Sequence, residues 1–262
     1  MKKALKWAFN NIGYEVTKRS VTNKMDSVKG DNILTLHKTK TGDYYLPTDA
    51  KEDVIANEII NDCIFDVEIY NEAKKHIKKN TSVLDVGANF GQLTILFSEL
   101  VENGNVYSFE ADDFVFSVLE KNILENNRKN INSVFGAVHD KDNEILYFPK
   151  QDFERFKTYG SYGIDYINKK GREVKTVTID SLKIGTPISF MKIDIQGGDL
   201  FALKGARETI RKNQMPIIFE YEYLFEDELG LNFQEYVDFV SDIGYKFQKV
   251  INGQNYLIVP KK

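Results

Sequence analysis

From Ser82 onward the chain alternates short apolar runs with helical spacing, and this alternation limits its fold more than any other feature. The runs Ser82–Asp85, Asn105–Glu110, Asn132–Val138, Ile188–Ile195 and Pro216–Glu222 read as strands. In Gly91–Val101, Leu93, Leu96, Phe97 and Leu100 recur at helical intervals; after Asp112, Phe116, Leu119 and Ile123 share one face. Asp112-Asp113 place negative charge where a helix start favours it. Further helices are predicted from Gly198 to about Lys212 and over Phe233–Ile243. Strands joined by helices of this length pair in parallel through right-handed crossovers. Asn252-Gly253, between Tyr245–Val250 and Asn255–Val259, predicts a closing hairpin. The expected fold class is α/β: a Rossmann-like sheet, mostly parallel, with helices on both faces and an antiparallel C-terminal hairpin.

Two regions fall outside the alternation. Residues 140–180 hold strand-like runs at Glu144–Phe148 and Glu173–Ile179 around the loop Tyr159-Gly160-Ser161-Tyr162-Gly163, and read as a β-rich insertion. Residues 1–63 read as an N-terminal extension, a helix followed by a hairpin over Leu34–Leu46 that turns at Thr41-Gly42-Asp43. The main domain is expected over 64–262, opening with a helix at 64–79.

Composition narrows the function. A net charge of −4 argues against a general nucleic-acid binder that neutralises phosphates. Residues 1–30 are locally basic, and with Leu5, Phe9 and Ile12 they suit either weak peripheral membrane association or packing on the chain's own domain. No apolar run is long enough for a transmembrane helix, and no signal peptide is evident. The one cysteine, Cys63, rules out an internal disulfide and suits a reducing cytoplasm. Oligomeric state is left open.

Ligands of an open parallel sheet sit at the carboxyl ends of its strands. The first strand ends in Asp85-Val86-Gly87-Ala88-Asn89-Phe90-Gly91, where glycines permit a tight turn against a ligand. The second ends in Glu110, which suits the hydroxyls of a ribose. A dinucleotide fingerprint needs Gly-x-Gly-x-x-Gly to admit pyrophosphate, but Asn89 stands where its second glycine belongs. Asp85 adds a carboxylate that opposes pyrophosphate and suits an ammonium, such as that of S-adenosyl-L-methionine. A nucleotide-cofactor oxidoreductase is the competing class.

The sequence resembles the FkbM family of methyltransferases over roughly residues 64–222. The resemblance rests on Phe65-Asp66-Val67-Glu68, Val83-Leu84-Asp85-Val86-Gly87-Ala88-Asn89-Phe90-Gly91, Tyr107-Ser108-Phe109-Glu110, Met191-Lys192-Ile193-Asp194-Ile195-Gln196-Gly197-Gly198-Asp199, Leu203-Lys204-Gly205-Ala206 and Pro216-Ile217-Ile218-Phe219-Glu220. Where the family usually carries Gly-x-Glu after the fourth strand, Gly198-Asp199 keeps the charge on a shorter arm. The resemblance implies a class I methyltransferase fold with S-adenosyl-L-methionine as donor. It further implies a hydroxyl acceptor, of a sugar, sugar-nucleotide or related precursor of a surface polysaccharide. Another small-molecule acceptor (a phosphate oxygen, an amine or a natural product) is the alternative. Asp85, Gly87, Asn89, Phe90, Gly91 and Glu110 would line the cofactor, with Ala137 near its adenine.

Methyl transfer to an alcohol needs an aligned acceptor oxygen and a group to take its proton. Asp194, at the end of the fourth strand, is a candidate base or cofactor-orienting acid. His139, after the third strand, is a second candidate base, or else a surface histidine. Asp194, Glu220 and Glu222 together form a candidate Mg²⁺ set of oxygen ligands; acids at strand ends also serve as helix caps. Lys192 shares a strand face with Asp194 and is expected to contact acceptor or pair with an acid. The Tyr159–Gly163 loop is either a lid whose rings stack on a sugar or a plain connection.

Overall fold

The computed structural model describes residues 34–48, 52–152, 157–225 and 229–261, so the basic opening segment lies outside the described residues. The chain begins with a hairpin, β1 (Leu34–Thr39) and β2 (Gly42–Pro47), then α1 (Val54–Ile60) and α2 (Val67–His76). The alternation follows: β3 (Ser82–Val86), α3 (Gln92–Leu100), β4 (Asn105–Glu110), α4 (Asp113–Glu125) and β5 (Ile131–Phe135). Three short strands come next, β6 (Ala137–Val138), β7 (Ile145–Phe148) and β8 (Arg172–Val177). The core then resumes with β9 (Ile188–Ile193), α5 (Asp199–Lys204), α6 (Arg207–Asn213), β10 (Ile217–Glu220), α7 (Phe233–Asp242), β11 (Tyr245–Ile251) and β12 (Asn255–Pro260).

Seven strands form the central sheet in the order β11-β12-β10-β9-β3-β4-β5. The pairs β10–β9, β9–β3, β3–β4 and β4–β5 are parallel, and β12 is antiparallel to both its neighbours. This is the sheet expected from the sequence, with the antiparallel strand inserted beside β10. Every residue of β3 and β9 is buried, as strands covered by helices on both faces must be. Their ends, Asp85–Gly87 and Asp194, therefore emerge side by side at one edge of the core: Asp194 N donates to Val86 O at 3.0 Å.

The structure corrects the expected elements at four points. The predicted strand Asn132–Val138 breaks at Gly136, where φ is 155°. Its first part stays in the central sheet, while Ala137–Val138 pairs with β8, so the insertion's sheet grows from the end of the third core strand. The predicted helix over 198–212 divides at Gly205. A Cβ there would lie 1.9 Å from the carbonyl oxygen of His139, and only glycine permits that approach. The helix predicted over 64–79 begins at Val67, because Asp66 turns the chain at φ 56°. Finally, α1 stands in a stretch where no helix was expected; Asp53 starts it, accepting from Ala56 N at 2.7 Å.

The hairpin packs on α4 through two asparagines one helical turn apart. Asn122 exchanges hydrogen bonds with the Tyr45 backbone (2.6 and 3.2 Å), and Asn126 does the same with Asp43 (2.9 and 2.6 Å). Tyr44 and Leu46 are fully buried in a cluster with Ile59, Phe90, Val115 and Tyr159, which carries the packing to the loop over the site. Among the described residues, no helix is long and apolar enough to cross a membrane.

Candidate active site

A cavity of about 350 Å³ opens at the carboxyl ends of β3, β4, β6, β9 and β10. One wall is the turn after β3. Gly87 has φ 81°, and a Cβ on it would sit 1.8 Å from the Asp194 carbonyl oxygen, so the close seating of β9's end beside the turn demands glycine. Gly91 (φ 88°) precedes α3, and a Cβ there would strike Leu119 at 2.5 Å. Asn89 adopts φ 49°, a left-handed conformation that asparagine tolerates better than most residues. Its side chain accepts from Phe90 N at 2.7 Å, and its own N–H donates to Glu110 at 2.9 Å. Asn89 thus replaces the glycine of a dinucleotide fingerprint in conformation while tying the first strand's turn to the second strand's acid. Phe90 is fully buried with its ring edge-on to Tyr159, at 5.7 Å between centroids, and supports the turn from behind.

Glu110 receives N–H groups from Asn89, Ala111 and Asp112 at 2.8–2.9 Å: two fall on Oε1 and one on Oε2, which retains a lone pair for a hydroxyl donor. Burial pushes its pKa up to about 7 against the pull of those N–H groups. Gly136, Ala137 and Val138 continue the lining beyond Glu110. Asp85 has no solvent exposure; its Oδ2 accepts from Thr94 Oγ1, while Oδ1 has no hydrogen-bond partner and lies 4.0 Å from the ammonium of Lys192. Burial raises its pKa, and Lys192 and Thr94 oppose that rise. The order along the wall (a buried acid with an unmet oxygen, a turn, a hydroxyl-accepting acid, then small apolar residues) fits the amino-acid end, ribose and base of S-adenosylmethionine in sequence.

The other wall carries carboxylates. Asp194 pairs with Lys192 at 3.1 Å, and the Gln196 amide lies 3.3 Å from Asp194 and 3.2 Å from Glu220. Glu220 is raised well above the carboxylate range by burial and by the charges of Asp194, Asp199 and Glu222. Glu222 is raised by burial and then by Asp194, and its Oε2 has no partner. Asp199 is fully buried, accepts from the backbone N–H groups of Ile195 (3.3 Å) and Glu220 (3.0 Å), and is pushed up to about 8, chiefly by burial. It braces the ends of β9 and β10. The acid of Gly198-Asp199 is therefore structural in its contacts.

Two expectations change. Among the described residues, no group of three or more His, Cys, Asp or Glu is arranged to hold a metal ion. Lys192 already neutralises Asp194, and the Gln196 amide stands between Asp194 and Glu220, so the Asp194–Glu220–Glu222 set does not converge on a cation. His139 is buried with its ring stacked on Phe201 at 4.5 Å and 6.1 Å from that of Tyr166. Tyr166 lines the cavity and His139 does not. Burial lowers its pKa against the pull of Asp140, whose carboxylate lies 2.8 Å from Nδ1.

Sequence reasoning missed three contributors. Asp66 lines the cavity from the start of α2 without capping that helix, and burial, reinforced by Asp194, pushes it up to about 6. Only its place in Phe65-Asp66-Val67-Glu68 marked it, because the helical spacing around it hid the turn. Tyr166 also lines the cavity. Asp53, besides starting α1, accepts from Tyr159 N at 2.7 Å and so anchors the Thr158–Gly163 loop, every residue of which borders the cavity.

The methyltransferase FkbM domain matches residues 85–247, which include Asp85–Gly91, Glu110, Asp194 and Glu220. No match was found among the curated proteins. Among solved structures, the chain is similar to a putative rRNA-methylase from Clostridium thermocellum, at 12% identity and TM-score 0.46, over 74% of this chain and 93% of that one. It is also similar to the methyltransferase FkbM from Methylobacillus flagellatus KT, at 18% identity and TM-score 0.44, over 69% of this chain but 43% of that one. A third is a SAM-dependent methyltransferase from Aquifex aeolicus, at 16% identity and TM-score 0.40, over 80% and 95%. The sequence match takes in more than half of the chain, and the protein belongs to the FkbM family of S-adenosylmethionine-dependent methyltransferases.

Proposed function

We propose that this methyltransferase acts on a hydroxyl of a carbohydrate or sugar-bearing precursor. The observation that carries the reading is the makeup of the wall opposite the cofactor turn. Tyr166 lines the same cavity as Asp194, Glu220 and Glu222, which sets an aromatic side chain beside hydrogen-bond acceptors, as a polyhydroxylated ring requires. A surface-polysaccharide precursor is the source that the family resemblance favours.

Bound S-adenosylmethionine supplies an electrophilic methyl group on its sulfonium. Asp85 would receive the ammonium of the donor's amino-acid end, Glu110 would accept from the ribose hydroxyls, and Ala137 would border the adenine. Asp194 stands beside the turn at the end of β9, where it would accept the proton of the acceptor hydroxyl and orient that oxygen for attack. Glu220 and Glu222 hold neighbouring hydroxyls.

Calorimetry with S-adenosylhomocysteine, followed by incubation of the protein and donor with a panel of sugars and sugar-nucleotides, tests the two halves separately. Saturable binding and a mass gain of one methyl on a carbohydrate are expected. Absence of binding would sink the cofactor assignment, and methylation confined to amines or phosphates would sink the acceptor assignment.

A further inference from the structure

The mechanism above leaves one buried charge without a task. Lys192 is 4% exposed, in the middle of the sheet, where an ammonium is tolerated only with close partners. Its Nζ lies 3.1 Å from Asp194 Oδ2, donates to the Gly87 carbonyl at 3.1 Å, and stands 4.0 Å from Asp85 Oδ1. Lys192 and Asp85 are also directly opposed in the β3–β9 register. One ammonium therefore touches the acid of the cofactor wall, the glycine turn and the acid of the acceptor wall.

We propose that Lys192 is a positioning residue for the methyl donor: its ammonium ties the Gly87 turn to Asp85 and Asp194, so that the site is preformed for the donor's ammonium. The proposal rests on the reading of Asp85 as the ammonium's partner. The geometry supports it beyond neutralising Asp194, because the same ammonium also reaches the Gly87 carbonyl and Asp85, both at the end of the first core strand. The charged groups that interact with Lys192 are Asp85 from β3, Asp194 from the end of its own strand, Asp66 from the start of α2 and Asp199 from α5. Burial works against the ammonium, but Asp194, Asp85 and Asp66 together hold its pKa above the ordinary lysine value. In return, Lys192 opposes the burial-driven rise of Asp85.

Removing the charge lets Asp85 rise further, so that it takes up a proton more readily than in wild type as pH falls and loses its attraction for an ammonium. The test is S-adenosylhomocysteine affinity of wild type, Lys192→Gln and Lys192→Arg at pH 6 and pH 8. Lys192→Gln keeps a donor for the Gly87 carbonyl but no charge. Its deficit relative to wild type is expected to be about tenfold at pH 6, shrinking to about threefold at pH 8, with Lys192→Arg closer to wild type at both. A deficit equal at the two pH values marks a merely structural lysine and overturns the proposal, as does no deficit. Should neither variant fold, ¹³C resonances of the lysine side chains in wild type decide. A buried lysine perturbed by S-adenosylhomocysteine and still charged at pH 10 supports the proposal, and one neutral at pH 8 overturns it. Asp85→Ala separates the two readings. Loss of binding there beside a normal Lys192→Gln overturns this inference alone, whereas normal binding in Asp85→Ala overturns the cofactor assignment itself.

Discussion

The two walls of the cavity are built on different principles. The cofactor wall is mostly backbone: a turn of left-handed residues between β3 and α3, with Glu110 accepting three main-chain N–H groups. The wall we assign to the acceptor is mostly side chains brought together from afar, with Asp66 before α2, Tyr166 from the insertion, and Glu220 and Glu222 at and beyond the end of β10. A wall made of backbone tolerates almost no change at its glycines, whereas a wall made of side chains can be altered residue by residue for another acceptor. Substitutions on the first should abolish donor binding, and those on the second should spare it.

The largest effect is expected at Gly87. Alanine there meets both a positive φ and a carbonyl 1.8 Å from its Cβ, so the ends of β3 and β9 must separate. Gly87→Ala should lose stability on the order of 3 kcal/mol and all measurable S-adenosylhomocysteine binding. Gly205→Ala makes the control. Its Cβ would meet the His139 carbonyl at 1.9 Å, on an element that does not line the cavity. Thermal denaturation should show a comparable loss there, with donor affinity kept in the folded fraction. Equal loss of binding in both variants would mean that the turn has no special part in holding the donor.

Next comes Glu110. Hydrogen bonds to a charged group are worth about 1.5–3 kcal/mol, so Glu110→Gln should weaken S-adenosylhomocysteine binding by about 10- to 100-fold. The wild-type residue also sets a pH dependence. Its pKa of about 7 is raised from 4.5 by burial, so the ionised form that ribose hydroxyls prefer fills only as pH rises through 7. Donor affinity should therefore be full above pH 7 and fall toward pH 6. The sign for stability is opposite. The folded state binds this proton more tightly than the unfolded chain, so the contribution is lost as pH rises from about 4.5 through about 7. An affinity unchanged between pH 6 and pH 8, or one that Glu110→Gln leaves at the wild-type level, would show that Glu110 does not hold the ribose.

The contrast between the walls also explains what could be read before folding. The strand–helix alternation, the sheet and the Asp85–Gly91 turn are local patterns, and each was legible because a strand end followed by glycines and a helix has few conformations. The acceptor wall was legible only as acids at strand ends, since nothing local says that Lys192 neutralises Asp194 or that Gln196 stands between Asp194 and Glu220. That is why a metal set was expected where an ion pair and an amide are found. His139 failed to reach the cavity for a related reason. Gly136 diverts the third strand into the insertion's sheet, and a histidine that follows it is carried into packing with Phe201. A glycine inside a strand pattern is a sequence signal for such a break, and here it was the only one.

On the acceptor wall, Tyr166→Phe should leave donor affinity within about twofold while reducing methylation of the carbohydrate acceptor. A matching loss of S-adenosylhomocysteine binding would erase the distinction between the walls.

The smallest effect is expected at Asp53, which belongs to neither wall but joins both. Its two oxygens accept from Ala56 N at the start of α1 and from Tyr159 N in the loop over the cavity, each at 2.7 Å, and the side chain is fully buried. The Tyr159 ring in turn packs on Phe90 of the cofactor turn and Phe114 of α4. Asp53→Asn keeps one acceptor oxygen, so one of the two bonds must be given up, at a cost of about 1 kcal/mol. If the helix cap is kept, the loop loosens, and hydrogen exchange should quicken at Tyr159 and Gly160 while α1 stays protected. Donor affinity should then fall by no more than about threefold, because Phe90 still supports the turn. Faster exchange throughout α1 with an unchanged loop would mean that Asp53 serves the helix alone and that the extension has no hold on the loop over the site.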